Sequence, residues 1–391
     1  MIQRKAKEAL IRVASQFPVV GITGPRQSGK TTLVQSVFPD KRYITFDDDN
    51  MRELAKTNPK DFVDAFPDGV IIDEAQKVPE IFNALKLKVD AEKSKPGTYI
   101  LTGSSQFKLK KNMSDSLSGR AFFLELLPFS IDELVVGGAS IDNPYDLIFK
   151  GQYPPLHDDE RNFIPEDWFE AYLDTYIARD VEQLINPSNV SSFKKFIQIC
   201  AIHSGQMLSM DSIARGVGVS APTIKSWLSI LEQSYIIHLL EPDSNNLTKA
   251  LVKSPKLYFV DTGLLCYLLR IYSKEELLLH EMKGAIVETF AVAEMLKNRT
   301  NIGKKGNITY FRDRNGFEVD TIADWNRTFA IEIKSTTQAD TKASKNVKKY
   351  LELKRDEKTK AAIFYLGDTT LKINDIEYVS FKDWGKFSSN N

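Results

Sequence analysis

The chain has 391 residues, 42% of them apolar and 27% charged, with 52 Lys and Arg against 52 Asp and Glu. That balance allows buried cores, excludes disorder as the main theme, and leaves no global field aimed at nucleic acid or membrane. Two cysteines, Cys200 and Cys266, exclude a disulfide framework or a Cys-rich zinc site and fit a reducing cytosol.

At about 150 residues per domain, the length predicts two to three domains. The opening run MIQRKAKEALIRVASQF reads as an amphipathic helix, too polar for the core of a signal peptide. No uncharged apolar run approaches the roughly 20 residues of a membrane span, so the expectation is a cytoplasmic protein without membrane segments. Residues 19–23, 43–46, 70–72, 99–102 and 122–126 read as buried strands with helix-length segments between most of them. This rhythm predicts a parallel sheet wrapped by helices. The middle of the chain is mostly helical, with 168–184 its clearest amphipathic stretch. From residue 258 onward the pattern returns to mixed α and β: a long helix at 283–297, then strands at 308–311, 318–323, 330–333 and 361–366. Gly-, Ser-, Asn- or Pro-rich stretches at 137–143 and 241–246 divide the chain into 1–140, 141–246 and 247–391. There is no internal repeat, and low complexity is confined to the tail 387–391.

The strongest motif is Gly24-Pro25-Arg26-Gln27-Ser28-Gly29-Lys30-Thr31, a full G-x-x-x-x-G-K-[ST] between a strand and an apolar helix that opens at Thr32. Gly24 and Gly29 lack a Cβ, so the loop can turn its N–H groups inward around phosphate oxygens, and the helix N-terminus adds a positive dipole end. Lys30 is expected to neutralise the β and γ phosphates, and Thr31 to offer its hydroxyl to Mg²⁺. The strand Val70-Ile71-Ile72 ends in Asp73 and Glu74. Asp73 is expected to hold Mg²⁺ through water, and Glu74 to orient and polarise the attacking water. In Tyr99–Ser105 (YILTGSS), Ser104, or alternatively Ser105, is placed to reach between Glu74 and the γ phosphate; the plain alternative is a Ser/Gly loop cap. Arg120, at the end of LSGR, can face the nucleotide of a neighbouring subunit, the alternative being an ordinary surface arginine.

In this order GPRQSGKTT, IIDEAQ, ILTGSS and LSGR resemble the phosphate loop, Mg/water acids, first sensor and arginine-finger region of AAA+ P-loop ATPases. Over essentially the whole chain the resemblance is to a prokaryotic AAA+ family with an additional C-terminal domain of poorly known function. It implies strand order 5-1-4-3-2, ATP rather than GTP, and a homo-oligomer in which Arg120 serves a partner's site. The GQYP stretch at 151–154 and Ala178-Arg179-Asp180 also look like that family, with Arg179 a candidate second sensor.

Residues 207–240 read as a helix-turn-helix: a first helix at 210–216, a turn at Gly218-Val219-Ser220, a second helix at 221–233 capped by Ser220, and a strand at 235–240 like that of a winged helix. Lys225 is the only basic residue of the second helix, which is thin chemistry for DNA, and a protein-contact or spacer role is the alternative. The three segments 1–150, 151–250 and 251–391 carry net charges of +1, −6 and +5, so the last is the electrostatic favourite for a phosphate backbone.

In that last segment Asp320 lies on one strand, and Glu332 and Lys334 lie on a second whose Ile331 and Ile333 face the core. A hairpin around 324–328 brings Asp320 alongside Glu332, with Glu288 on the preceding helix a fourth member. This order resembles the PD-(D/E)xK nuclease fold, which implies a second Mg²⁺ or Mn²⁺ there, with Lys334 orienting water against a phosphodiester. Lys342, Lys345, Lys348, Lys349, Lys354 and Arg355 follow as candidate phosphate contacts. The four histidines show no ligand spacing. The expected architecture is thus α/β: a P-loop sheet with helices on both faces, a helical and winged-helix region, and a restriction-endonuclease-like domain. Three functions fit it: an ATPase acting on DNA, a nucleotide-gated metal-dependent nuclease, and a signalling or scaffold ATPase that switches protein partners.

Overall fold

Residues Val19 to Thr23 are buried at every position, which a strand tolerates only when both faces of its sheet are covered. The computed structural model describes residues 2–92, 95–103, 109, 116–158, 160–182, 184–243, 254–356 and 358–391. The first segment contains α1 (Ala6–Ala14), β1 (Val19–Thr23), α2 (Lys30–Val37), β2 (Tyr43–Thr45), α3 (Asp49–Thr57), α4 (Pro59–Asp64), β3 (Val70–Asp73), α5 (Glu80–Glu92), β4 (Tyr99–Gly103) and β5 (Ala121–Glu125). All strand pairs are parallel, in the order β2-β3-β4-β1-β5 that the resemblance implied. Side chains alternate across the sheet. Ile22, Ile71 and Ile100 join Leu10, Val13 and Leu33 on one face, while Ile72, Tyr99 and Leu101 join Phe62, Phe82 and Leu85 on the other.

The middle segment is helical: α6 (Ile131–Val136), α7 (Pro144–Lys150), α8 (Pro165–Tyr176), α9 (Val190–Ile202), α10 (Met210–Val217) and α11 (Ala221–Gln233), followed by β6 (Ile237–Leu240). The single helix expected over 168–184 stops at Tyr176. A π-helical turn, Ile177–Val181, follows it and is closed by Glu182 N–H donating to the Ile177 carbonyl at 3.0 Å. The helix-turn-helix forms as expected. Gly218 takes the left-handed conformation between α10 and α11, and the Ser220 side chain accepts the Thr223 N–H. Trp227 of α11 packs on Phe193 and Phe196 of α9, with ring centroids 5.2 and 5.4 Å apart.

The last segment holds β7 (Lys256–Phe259), α12 (Thr262–Leu268), α13 (Lys274–Leu279), α14 (Lys283–Asn301), β8 (Ile308–Arg312), β9 (Glu318–Asp324), β10 (Thr328–Lys334), α15 (Lys345–Lys354), β11 (Lys360–Tyr365), β12 (Leu371–Ile373), β13 (Ile376–Ser380) and α16 (Trp384–Asn390). Its mixed sheet runs β12-β13-β11-β10-β9-β8. β6 pairs antiparallel with β7, Ile237 opposite Phe259, and the expected boundary at 246 falls outside the described residues. The tail read as low complexity is helix α16, because Trp384 and Phe387 bury against Phe364 and anchor the small polar residues between them. A single core runs from Leu127 to Phe387, and the buried helix α14 passes through it from the C-terminal sheet to the first domain.

Candidate functional site

The phosphate loop is built by backbone conformation. Gly24 has φ +156° and faces the Leu126 carbonyl so closely that a Cβ would collide with it, while Gly29 opens α2 at φ +87°. Both therefore require glycine. Lys30, the first residue of α2, folds its amine back over the loop and donates to the carbonyls of Gly24 (3.0 Å) and Pro25 (2.7 Å). Pro25 and Ser28 are buried, Arg26 is half-buried, and Gln27 and Thr32 are exposed.

Thr31, one position on, donates its hydroxyl to Asp73 Oδ2 at 2.8 Å. Asp73 ends β3 between β2 and β4, and both neighbours also reach it. Tyr43 donates to Oδ2 at 2.8 Å, and Thr102 donates to Oδ1, which also accepts the Glu74 N–H at 3.1 Å. Burial and the Asp73 contact together push the Tyr43 phenol above its ordinary pKa, which keeps it a donor. Glu74 adopts a left-handed conformation, φ +53°, rare for a residue with a side chain, and its Oε2 accepts Gln76 Nε2. Tyr43, Thr102 and Gln76 escaped the sequence reading. The available signal was a hydroxyl on each strand flanking β3, Tyr43 opening β2 and Thr102 near the end of β4.

Ser104 and its alternative Ser105 lie outside the described residues. Arg120 makes a two-pronged pair with Asp90 of α5 and also donates to the Ser118 carbonyl, so reaching a neighbour's nucleotide requires this pair to open. Arg179 falls in the π-helical turn, and its side chain is outside what is described.

The residues at this edge fit a magnesium nucleotide. Ser28 Oγ is buried with no partner among the described residues, the loop glycines leave room for backbone donors, and Lys30, Thr31 and Asp73 converge beside them. Residues 16–135 match the family model described as an AAA domain. The first domain is an AAA-type P-loop ATPase fold. Residues 142–275 and 283–384 match two families, DUF8612 and DUF4143, each described as a domain of unknown function. The chain is similar to an uncharacterized protein of Mycobacterium tuberculosis, 29% identical over 376 residues, or 95% of this chain and 82% of that one. An uncharacterized protein of Methanocaldococcus jannaschii is 26% identical over 330 residues, covering 76% and 70% of the two chains. Among solved structures, the Walker-type ATPase of Pyrococcus abyssi is 17% identical with a TM-score of 0.47, covering 69% of this chain and 96% of that one.

The second predicted site is gathered around the β9–β10 hairpin. Thr328 lies opposite Asp324 and Ile331 opposite Thr321, which puts Asp320 and Glu332 each one residue beyond the last ladder pair, and Asp320 Oδ2 accepts the Ile333 N–H at 2.8 Å. Glu332 accepts Lys334 Nζ at 2.8 Å and Asn346 at 3.4 Å, while Glu288 accepts Tyr258 at 2.6 Å. The sequence reading missed Lys256, 3% exposed, whose amine stands 2.9 Å from Glu288 and also pairs with Glu318. Burial opposes its charge, but Glu288, Asp320 and Glu318 outweigh it and raise its pKa. Burial first and Asp320 second push Glu288 up to about 7, and the same two causes push Glu332 up to about 7.

One oxygen of Glu332 is buried without a partner among the described residues, but Glu288 and Glu318 are already committed to Lys256. Among the described residues, no group of three or more His, Cys, Asp and Glu is gathered to hold an ion. The expected second Mg²⁺ or Mn²⁺ therefore does not fit this arrangement, in which Lys256 is paired with Glu288 and Lys334 with Glu332. No described helix is long and apolar enough to cross a membrane.

Proposed function

We propose that the chain is a Mg²⁺-dependent ATPase whose turnover moves the helix-turn-helix and C-terminal regions against the first domain. The observation that carries this reading is the 2.8 Å contact of Thr31 with Asp73 beside the folded-back Lys30 amine, inside an AAA-type domain. Lys30 leaves the Gly24 and Pro25 carbonyls for the β and γ phosphates when nucleotide enters. Thr31 would offer its hydroxyl to the ion and Asp73 would hold it through water, and the ion would supply charge neutralisation at the phosphates. Glu74 takes a hydrogen bond from the attacking water and polarises it, with Gln76 steadying its carboxylate. ATP as the nucleotide follows from the family resemblance. Lys30→Ala abolishes nucleotide binding, whereas Glu74→Gln binds but does not turn over; full hydrolysis by Glu74→Gln rejects the assignment.

The load we assign is DNA, contacted through Lys342, Lys345, Lys348, Lys349 and Arg355, all exposed in and around α15. Each phosphate contact releases counterions, so affinity must fall steeply with salt. A second reading, a switch of protein partners, is favoured by the acidic 151–250 segment and by the exposed side of α11, where Pro222, Ser226 and Ser229 flank Lys225. Salt-independent affinity, or none, for duplex and single-stranded DNA selects that second reading. In an oligomer, Arg120 would serve the neighbour's site after leaving Asp90. Nuclease action is not part of the proposal, because Glu288 is paired with Lys256 and Glu332 with Lys334, and no ion-holding group of acids is gathered among the described residues.

A further inference from the structure

Arg4 lies outside every motif, yet it is 7% exposed and uses all three guanidinium nitrogens. Nε donates to Glu133 Oε1 at 3.0 Å, Nη2 to the Leu127 carbonyl at 2.7 Å and Nη1 to the Ser28 carbonyl at 2.6 Å. The guanidinium also sits 4.8 Å from the centroid of the Phe129 ring. Ser28 belongs to the phosphate loop, and the contact bears directly on loop geometry. In a trans peptide the C=O and N–H of one unit point in opposite directions. The Ser28 carbonyl shares its peptide unit with the Gly29 N–H. Holding that carbonyl from outside therefore turns the Gly29 N–H toward the concave side, where phosphate oxygens lie.

We propose that Arg4 is a positioning residue for the nucleotide site: it presets the Ser28–Gly29 peptide so that the Gly29 N–H is aimed before the ligand arrives. This rests on the ATPase reading of the loop. Two further observations support it. Arg4 Nη1 stands 3.7 Å from where a Cβ on Gly29 would sit, so the brace touches the residue it orients. Glu133 in turn is fixed. It forms a capping box with Ser130 and accepts the Lys5 N–H at 2.8 Å, so the guanidinium cannot follow a loop that rotates. Without the brace, the peptide must be ordered on binding, and that cost appears as weaker affinity.

The test measures Mg-ATP affinity by calorimetry for the full chain and its variants, each held well below its own unfolding midpoint. Arg4→Met keeps the stem and removes the donors. It is expected to raise the Kd by about tenfold or more, the scale of one charge-assisted hydrogen bond. Arg4→Lys keeps one charged donor for Ser28 and recovers much of that loss, while saturated turnover stays close to wild type in both, because Arg4 does not touch the reacting atoms. A purely structural role would lower the unfolding midpoint of Arg4→Met without moving the Kd of its folded fraction. That result, or equal Kd values for Arg4→Met and wild type, overturns the proposal. Failure of the wild type itself to bind Mg-ATP removes the ATPase reading and this inference with it, and is separately recognisable.

Discussion

Glu294 Oε2 accepts the backbone N–H of Ile131 at 2.9 Å, tying α14 to the start of α6 across 163 positions of sequence. Its other oxygen accepts Gln152 Nε2 at 2.6 Å, and the Lys297 amine, 3.6 Å away, donates to Gln152 Oε1. Gln152, Glu294 and Lys297 are 0% exposed. Burial pushes Glu294 up and Lys297 down, and each charge partly restores the other. Truncating one partner leaves the other charged or unsatisfied in the interior. Glu294→Ala is therefore expected to cost about 3–5 kcal/mol, whereas Glu294→Leu combined with Lys297→Met costs much less than either single change. Urea denaturation of Glu294→Ala, the double variant and its two single changes measures this. A loss under about 1 kcal/mol for Glu294→Ala would mean that the network contributes little to the junction.

Asp73 makes a second kind of prediction, about metal. Its carboxylate collects the hydroxyls of Thr31, Tyr43 and Thr102, holding both oxygens in fixed directions at the end of β3. Asp73→Asn keeps the shape and removes the charge that favours Mg²⁺. Turnover at saturating ATP should fall by roughly a hundredfold or more, the scale of losing an ion's charge stabilisation. Metal-free ADP binding should change little. Titrating Mg²⁺ against rate separates a weakened ion site from a damaged loop.

Gln76 contacts Glu74 through one amide hydrogen bond, and its own Oε1 is buried without a partner among the described residues. Gln76→Ala removes this hydrogen bond from the Glu74 carboxylate and should lower kcat about tenfold with unchanged nucleotide affinity. Gln76→Glu sets a like charge beside it, which favours the protonated form. The acid limb of the pH–rate profile should then move to higher pH. An unmoved limb would show that Gln76 does not bear on the base.

The first domain was legible because each of its signals is local. The apolar runs fix β1, β3 and β4, and G-x-x-x-x-G-K-T names its own loop. Likewise the hairpin around 324–328 follows from period-two alternation on its two strands, which brings Asp320 and Glu332 side by side just beyond the last ladder pair. What escaped is contact between residues distant in sequence. Lys256 opens β7 as an ordinary strand residue, and only the packing of β7 beside α14 carries its amine to Glu288. Arg4 reads as one more polar residue of an amphipathic helix until α6 supplies Glu133 beside it. The π-turn at 177–181 has no signature at all, since its apolar spacing continues that of α8.

The acid pocket gives a pH dependence with a definite sign. Glu288 titrates at about 7 in the folded chain against an ordinary value of 4.5, through burial and then the charge of Asp320. The folded state therefore holds a proton that the unfolded state has released, and stability tied to that proton is complete below about pH 4.5 and lost as pH rises through about 7. Buried His238 works the other way. Burial pushes it down to about 4 from 6.5, so its contribution is lost as pH falls through that window. The comparison between variants thus isolates Glu288. Glu288→Gln cannot ionise, so its unfolding midpoint should gain on that of wild type between pH 5 and pH 8, by a few degrees. Lys256 keeps Glu318 as a partner in the variant, which limits the damage from the missing charge. Parallel stability curves for the two proteins would mean that Glu288 is ionised throughout, with the Lys256 ammonium outweighing both burial and Asp320.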